Sequence, residues 1–221
     1  MLGAYKGKDG ASIDYIIHLM RIKELVEAKY ETDISPAYKK VLEGYAAGLN
    51  AYAAKHPKEV LLRKLFPITP KDMLQYGVLQ LCVLSGADKA LRSIVGETVP
   101  TLDDMKPGGS NAFAFNSKKT TDGQSYLAIN SHQPLEGPVS WYEAHLQSEE
   151  GWNILGGLFP GGPLIFHGVT PNLAWAHTVN FQDKIDVYQL QTDKAHPGQY
   201  KVDGEWLTLQ KRKIKLNIKG I

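Results

Sequence analysis

The chain has 221 residues, 43% hydrophobic and 22% charged, and its 25 Lys and Arg against 23 Asp and Glu leave a net charge of +2. A balance this even excludes a protein whose affinity rests on neutralising nucleic-acid phosphates. No run of about twenty apolar residues exists to span a membrane as a helix, and a single cysteine, Cys82, excludes an internal disulfide framework and a multi-cysteine metal site.

The first half reads as helices. Ile13, Ile16, Ile17 and Met20 stand at helical spacing in a stretch from Ile13 to Tyr30 with few breakers. Ser35 and Pro36 read as an N-cap followed by proline at the first helical position. The stripe Tyr38, Val41, Leu42, Tyr45, Leu49, Tyr52 and Ala53 behind them predicts an amphipathic helix. Thr69, Pro70 and Asp72 open a third helix that Met73 to Leu84 fills.

After Pro107, Gly108 and Gly109 the pattern turns to strands. Ala112–Phe115, Tyr126–Ile129, Trp141–Leu146, Leu173–His177, Ile185–Gln191, Trp206–Leu209 and Ile214–Ile218 are short runs rich in aromatic or β-branched residues. Asp122-Gly123 and Asp203-Gly204 are hairpin dipeptides. Helices followed by strands predict an α+β fold, with an antiparallel sheet after a helical N-terminal half. The length suits one large domain or two small ones.

Familiar motifs are scarce. The seven histidines, His18, His56, His132, His145, His167, His177 and His196, include no pair four apart on a helix and no HExxH, which argues against a zinc hydrolase. Neither GxGxxG nor GxxxxGK[ST] occurs, and no GxSxG elbow presents a hydrolase serine. Lys211, Arg212, Lys213, Lys215 and Lys219 alternate with Ile214, Leu216 and Ile218, the pattern of one solvated strand face.

The informative segment is Gly108-Gly109-Ser110-Asn111-Ala112-Phe113-Ala114. Ser110 can be read simply as the first residue of an apolar strand. It can also be read as one half of a self-cleaving bond. In that reading its hydroxyl attacks the Gly109 carbonyl, and hydrolysis of the resulting ester frees Ser110 as a new N-terminus. An α-amine with a pKa of about 7.7–8.0 can then serve as base for its own hydroxyl.

Gly109 to Ala114 resembles the junction of penicillin acylase-type N-terminal nucleophile hydrolases, in the branch of acyl-homoserine lactone, aculeacin and cephalosporin acylases. Ile129-Asn130-Ser131-His132, Phe159-Pro160-Gly161 and Leu173-Ala174-Trp175-Ala176-His177-Thr178-Val179 match that branch in order. Upstream, Ser35-Pro36, the helix Glu43 to Tyr52 and Phe66 to Asp72 resemble the segment these precursors carry before the junction. The resemblance covers residues 13 to 192. It implies an αββα sandwich, with residues 1–109 as the end of the α chain plus spacer and 110–221 as the start of the β chain.

The resemblance also implies roles. Ser110 is the nucleophile and Gly109–Ser110 the cleaved bond. His132 lies beside it and assists proton transfer, where a lone strand-end histidine would otherwise be a hydrogen-bonded surface group. Val179 gives its backbone N–H to the oxyanion, although its side chain suits core packing equally. Gln133 and His167 fall at acyl-pocket positions, both more polar than a long aliphatic chain needs. Asp183, Ile185 and Asp186 resemble a calcium-binding stretch, two carboxylates with a main-chain carbonyl between them, and otherwise read as ordinary loop charges.

No cofactor is implied for catalysis, only this structural calcium. The implied reaction is hydrolysis of a linear amide in an N-acylated small molecule, as in antibiotic metabolism or quorum quenching. The implied partners are that small molecule and the remainder of an acylase chain, with neither nucleic acid nor membrane. Full-length members are periplasmic or secreted, and here no signal peptide follows Met1. The family's precursors are several times longer, so the chain resembles an internal piece of one. The competing expectation is a non-catalytic acylase remnant that binds a ligand or partner through unpaired strand edges.

Overall fold

The computed structural model describes residues 2–87, 90, 91, 94, 109–180, 182 and 184–220. The chain forms two compact units, one of residues 21–89 with 101–181 and the other of residues 1–20 with 90–100 and 182–221. Helices precede antiparallel sheets along the chain, so the fold is α+β. The helices begin with α1 (Leu2–Lys6) and α2 (Lys8–Leu19), then α3 (Ile22–Asp33), α4 (Pro36–Lys55) and α5 (Pro70–Leu84). The single helix expected over Ile13–Tyr30 is broken at Met20–Arg21, where Arg21 takes a left-handed conformation (φ 54°). Neither glycine nor proline marks that break, and the buried Ile22 begins the new helix.

In the larger unit the caps form as the sequence requires. The Ser35 hydroxyl accepts from the Tyr38 N–H with Pro36 at the first helical position. Thr69 and Asp72 close a reciprocal capping box at the start of α5. Leu42, Ala46 and Met73 join α4 to α5 in one apolar cluster, flanked by Tyr38, Tyr45, Ile68 and Leu74. Asn50 fixes the approach to α5 by donating to the Ile68 carbonyl (2.9 Å) and accepting from its N–H (2.7 Å).

The same unit holds a two-stranded ribbon and a four-stranded sheet. Strands β1 (Ser110–Phe115) and β2 (Tyr126–Ser131) pair antiparallel, and β3 (Tyr142–Gln147), β4 (Asn153–Leu158), β5 (His167–Val169) and β6 (Ala174–Trp175) lie in sequential antiparallel order. The expected Leu173–His177 strand shrinks to two residues, and β4 and β5 were unmarked in the sequence because glycines interrupt their apolar pattern. A second cluster, Val83, Val139 and Phe159 with Leu84, Trp141 and Phe166 around it, packs the end of α5 on this sheet. Buried Gln80 reinforces that packing by donating to the carbonyls of Pro138 and Pro160.

The smaller unit contains α1, α2 and the hairpin β7 (Gln199–Val202) with β8 (Glu205–Thr208), joined by Asp203-Gly204 with both residues at positive φ. Ile185–Gln191 and Ile214–Ile218, expected as strands, are not strands. A strand needs a ladder partner, and the first segment gains only an isolated bridge from Gln191 to Lys201. The second keeps its alternation without a ladder: Ile214, Leu216 and Ile218 are half-buried, and the lysines are exposed. Lys219 N–H donates to the Gly3 carbonyl at 2.9 Å.

Candidate functional site

The junction motif sits where the register of the ribbon can be read residue by residue. Ser110 faces Ser131 and Asn111 faces Asn130, and the His132 N–H donates to the Gly109 carbonyl at 3.2 Å. That bond makes Gly109–His132 a hydrogen-bonded pair, so Ser110–Ser131 is the adjacent non-hydrogen-bonded pair. In such pairs the α-carbons lie about 4.5 Å apart and the side chains are neighbours on one face. Gly109 is exposed and Ser110 half-buried. Gly108 lies outside the described residues.

Alternation puts the His132 side chain on the opposite face from Ser110 and Ser131. Its Nε2 meets the side-chain nitrogens of Asn111 (3.2 Å) and Asn130 (3.1 Å), which lie on that opposite face. Two amide donors on one ring nitrogen make it an acceptor and leave the neutral ring's proton on Nδ1. The structure therefore brings together the nucleophile candidate and the main chain of His132, while the His132 ring is occupied on the other side of the ribbon.

On the Ser110 face the partner of Ser131 is His167, whose Nε2 lies 3.1 Å from the Ser131 Oγ. The His177 N–H donates to His167 Nδ1 at 2.9 Å, and His177 Nδ1 in turn meets the Phe166 carbonyl at 2.8 Å. Since His167 Nδ1 accepts, the proton of the neutral ring is on Nε2 and points at Ser131. His167 is 8% exposed. Burial, and secondarily the nearby His177, hold its pKa below the ordinary histidine value. Trp141 packs against it with centroids 4.6 Å apart and stacks on Phe159 at 4.5 Å. Both ring nitrogens of His167 are thus engaged within the protein.

Two polar atoms in this region are buried without partners among the described residues: Gln133 Oε1, an acceptor, and Trp141 Nε1, a donor. Beside the aromatic cluster lies an apolar cavity of about 300 Å³ between α4, α5 and the segment from Phe159 to Phe166. Tyr38, Leu42, Met73 and Leu81 line one side, and Phe159, Gly161 and Phe166 the other. Gly161 turns at φ 81°, in the Phe159-Pro160-Gly161 motif, and faces the Tyr76 ring closely enough that a Cβ would sit 3.2 Å from it.

Val179 follows β6, half-buried and outside every strand, so its N–H enters no ladder. Asp183 lies outside the described residues. Ile185 is half-buried and Asp186 exposed in an irregular segment. Calcium takes six or more oxygens, of which these two residues would offer one carbonyl and one carboxylate, and among the described residues no group of three or more His, Cys, Asp or Glu side chains could hold a metal ion. No described helix is long and apolar enough to cross a membrane. Sequence reasoning assigned nothing to Ser131, Trp141 or the His177 backbone. Only Ser131 carried a usable signal, since strand alternation from His132 already puts it on the other face.

Comparison with known proteins gives the family that the motifs resemble. The penicillin amidase family profile matches residues 1–221. The chain is 27% identical over 237 aligned positions to the acyl-homoserine lactone acylase PvdQ of Pseudomonas fluorescens (strain Pf-5), covering 96% of this chain and 30% of that protein. It is 29% identical to the protein of the same name from strain Pf0-1, covering 81% of this chain and 26% of that one. Aculeacin-A acylase of Actinoplanes utahensis is 28% identical over 55% of this chain and 18% of its own length. The chain thus spans less than a third of the curated relatives it matches.

Proposed function

Because the chain belongs to the penicillin amidase family, we propose that it carries the nucleophile of an N-terminal serine amidohydrolase acting on the linear amide of an N-acylated small molecule. The observation that supports this most is the setting of Gly109–Ser110. A glycine carbonyl already accepts a main-chain hydrogen bond at the mouth of a ribbon, and the serine after it shares its face with a part-buried hydrogen-bonded network.

In the first step the Ser110 Oγ adds to the Gly109 carbonyl carbon, and the His132 N–H stabilises the charge that builds on the oxygen. Collapse breaks the Gly109–Ser110 C–N bond as the departing nitrogen takes up the proton given up by the hydroxyl, and water hydrolyses the ester so formed to a Gly109 carboxylate and a free Ser110 hydroxyl. The freed α-amine then takes the proton from Ser110 Oγ as the oxygen attacks the substrate amide. The amine leaves protonated, and water resolves the acyl-enzyme. Val179 is the proposed oxyanion donor in this second reaction, since its N–H is committed to no ladder. The apolar cavity of about 300 Å³ is at the small end of ligand sites and suits a compact acyl group. Gln133 Oε1 is the proposed polar contact at its approach. A structural calcium at Asp183, Ile185 and Asp186 is also part of the proposal.

The relatives' names specify acyl-homoserine lactones and aculeacin A, so both are the first substrates to try. In the full-length gene product, Ser110→Ala should abolish release of free amine from such compounds, and unchanged release would refute the assignment. The second reading, a partner-binding remnant, draws on the exposed Phe113, Phe115, Tyr126 and Ile129 along the β1–β2 ribbon. That reading expects an intact, inactive chain.

A further inference from the structure

We propose that Ser131 and His167 form a positioning pair that aims the Ser131 hydroxyl proton at the Ser110 oxygen, an inference that rests on Ser110 being the nucleophile. A serine hydroxyl has one proton to give and two lone pairs to receive with. His167 takes up one of those lone pairs, because its Nδ1 is fixed as an acceptor by the His177 main-chain N–H at 2.9 Å. The neutral ring must then present Nε2–H to the Ser131 Oγ, 3.1 Å away. The donor that sets this choice is a backbone amide, which cannot rotate to reverse its role.

Ser131 is left with an O–H that has no other partner among the described residues, and its cross-strand neighbour is Ser110. The pair is of the non-hydrogen-bonded type, in which facing side chains lie closest. On that face Ser110 is the cross-strand neighbour of Ser131, and the proton directed away from His167 is assigned to the Ser110 Oγ. That hydrogen bond is retained, not transferred, while the Ser110 proton passes to its own α-amine. The same bond restricts the Ser110 rotamer before attack, which matters because small displacements of a reacting atom are heavily penalised.

The surroundings make the arrangement rigid. His167 is buried, it packs against Trp141 with centroids 4.6 Å apart, and its strand is held to β4 through Gly157↔His167. His177, the donor of the fixing amide, is itself anchored by its ring to the Phe166 carbonyl. Neither Ser131 nor His167 lines the proposed acyl cavity, so a defect in the pair should lower turnover and leave substrate binding in place.

The test uses the full-length gene product and four variants: Ser131→Ala, Ser131→Thr, His167→Phe and His167→Gln. Labelling of Ser110 by a fluorophosphonate, read by mass spectrometry, and hydrolysis of an N-acyl-homoserine lactone are measured alongside thermal melting. Ser131→Ala should lower kcat and the labelling rate by roughly 10²-fold, the scale of a misplaced reacting atom, with KM unchanged. Ser131→Thr, which keeps the hydroxyl, should stay within a few-fold of wild type. His167→Gln should retain more activity than His167→Phe. Nitrogen-15 spectra of the wild-type imidazoles should show His167 as the Nε2–H tautomer. Equal kcat in Ser131→Ala and wild type, or an Nδ1–H tautomer at His167, overturns the inference while leaving Ser110 as nucleophile. A wild-type protein that is never labelled at Ser110 overturns the reading of Ser110 and this inference together.

Discussion

A single methyl group added at Gly156 should damage this fold more than most whole side-chain deletions. An alanine Cβ at that position would lie 2.0 Å from the His167 carbonyl oxygen, 2.6 Å from Ile165 Cγ2 and 2.7 Å from the Gly168 Cα. Two of these obstacles are backbone, so no rotamer change can relieve them. Restoring ordinary contact at 3.4 Å requires β5 to retreat from β4 by about 1.4 Å, beyond what an N–H···O bond tolerates. The pairs at stake are Leu155↔Val169, Gly156↔Gly168 and Gly157↔His167. At about 1 kcal/mol net for each hydrogen bond lost, with about 1–3 kcal/mol for overpacking, the cost is about 3 kcal/mol or more. For a chain of this size that lowers the melting temperature by roughly 6–12 °C. The control is Gly44→Ala in α4, where a Cβ meets nothing within 4 Å; relief of the helical glycine should stabilise by about 1 kcal/mol and raise melting by roughly 2–4 °C. Circular dichroism melts of both variants decide the matter. Equal melting temperatures for wild type and Gly156→Ala would refute the close β4–β5 packing on which the placement of His167 depends.

The burial of neutral His167 makes stability depend on pH. Its folded pKa is below the ordinary value of 6.5, so the unfolded chain binds the proton more readily. This contribution is complete above about pH 6.5 and is lost as pH falls from there towards the folded pKa; the facing titratable group is His177, whose charge adds to the effect. Urea midpoints between pH 7.5 and 5.5 should fall for wild type and fall less for His167→Gln. Gln80→Leu removes the donor to the Pro138 and Pro160 carbonyls and should cost about 1–3 kcal/mol, read as a lower urea midpoint at constant slope. If Asp183, Ile185 and Asp186 hold calcium, millimolar calcium should raise the melting temperature by mass action, and Asp186→Asn should remove that increase.

Helix positions were legible where local chemistry decides them. Ser35-Pro36 and Thr69-Pro70 satisfy the first amides of α4 and α5 with neighbouring atoms alone, so the sequence suffices to place them. The break at Met20–Arg21 was not legible, because neither glycine nor proline marks the left-handed Arg21 that precedes the buried Ile22. Strands β4 and β5 were missed for a related reason. Gly156, Gly157 and Gly168 look like turn residues in isolation, yet they sit in strands because Trp141, Ile165 and Trp175 press against the spaces a Cβ would fill. Ile214–Ile218 failed in the opposite sense, since alternation records which side is buried and says nothing of a partner for the ladder.

The site was legible in its order of motifs and only partly in its geometry. The resemblance put His132 beside Ser110, but spacing alone could not say which face each side chain takes. The register answers that, with the His132 main chain at Gly109 and its ring at Asn111 and Asn130. The partner on the Ser110 side, Ser131, owes its importance to His167 and the His177 amide, residues far apart in sequence that only the folded sheet assembles.

The central claim is that Ser110 becomes an N-terminal nucleophile, and the most direct measurement is the intact mass and N-terminal sequence of the purified full-length gene product. The account predicts a fragment whose sequence begins Ser-Asn-Ala-Phe-Ala, generated without added protease and absent from Ser110→Ala. A fully folded wild-type protein that stays uncleaved at Gly109–Ser110, yet still hydrolyses N-acyl amides, would contradict it.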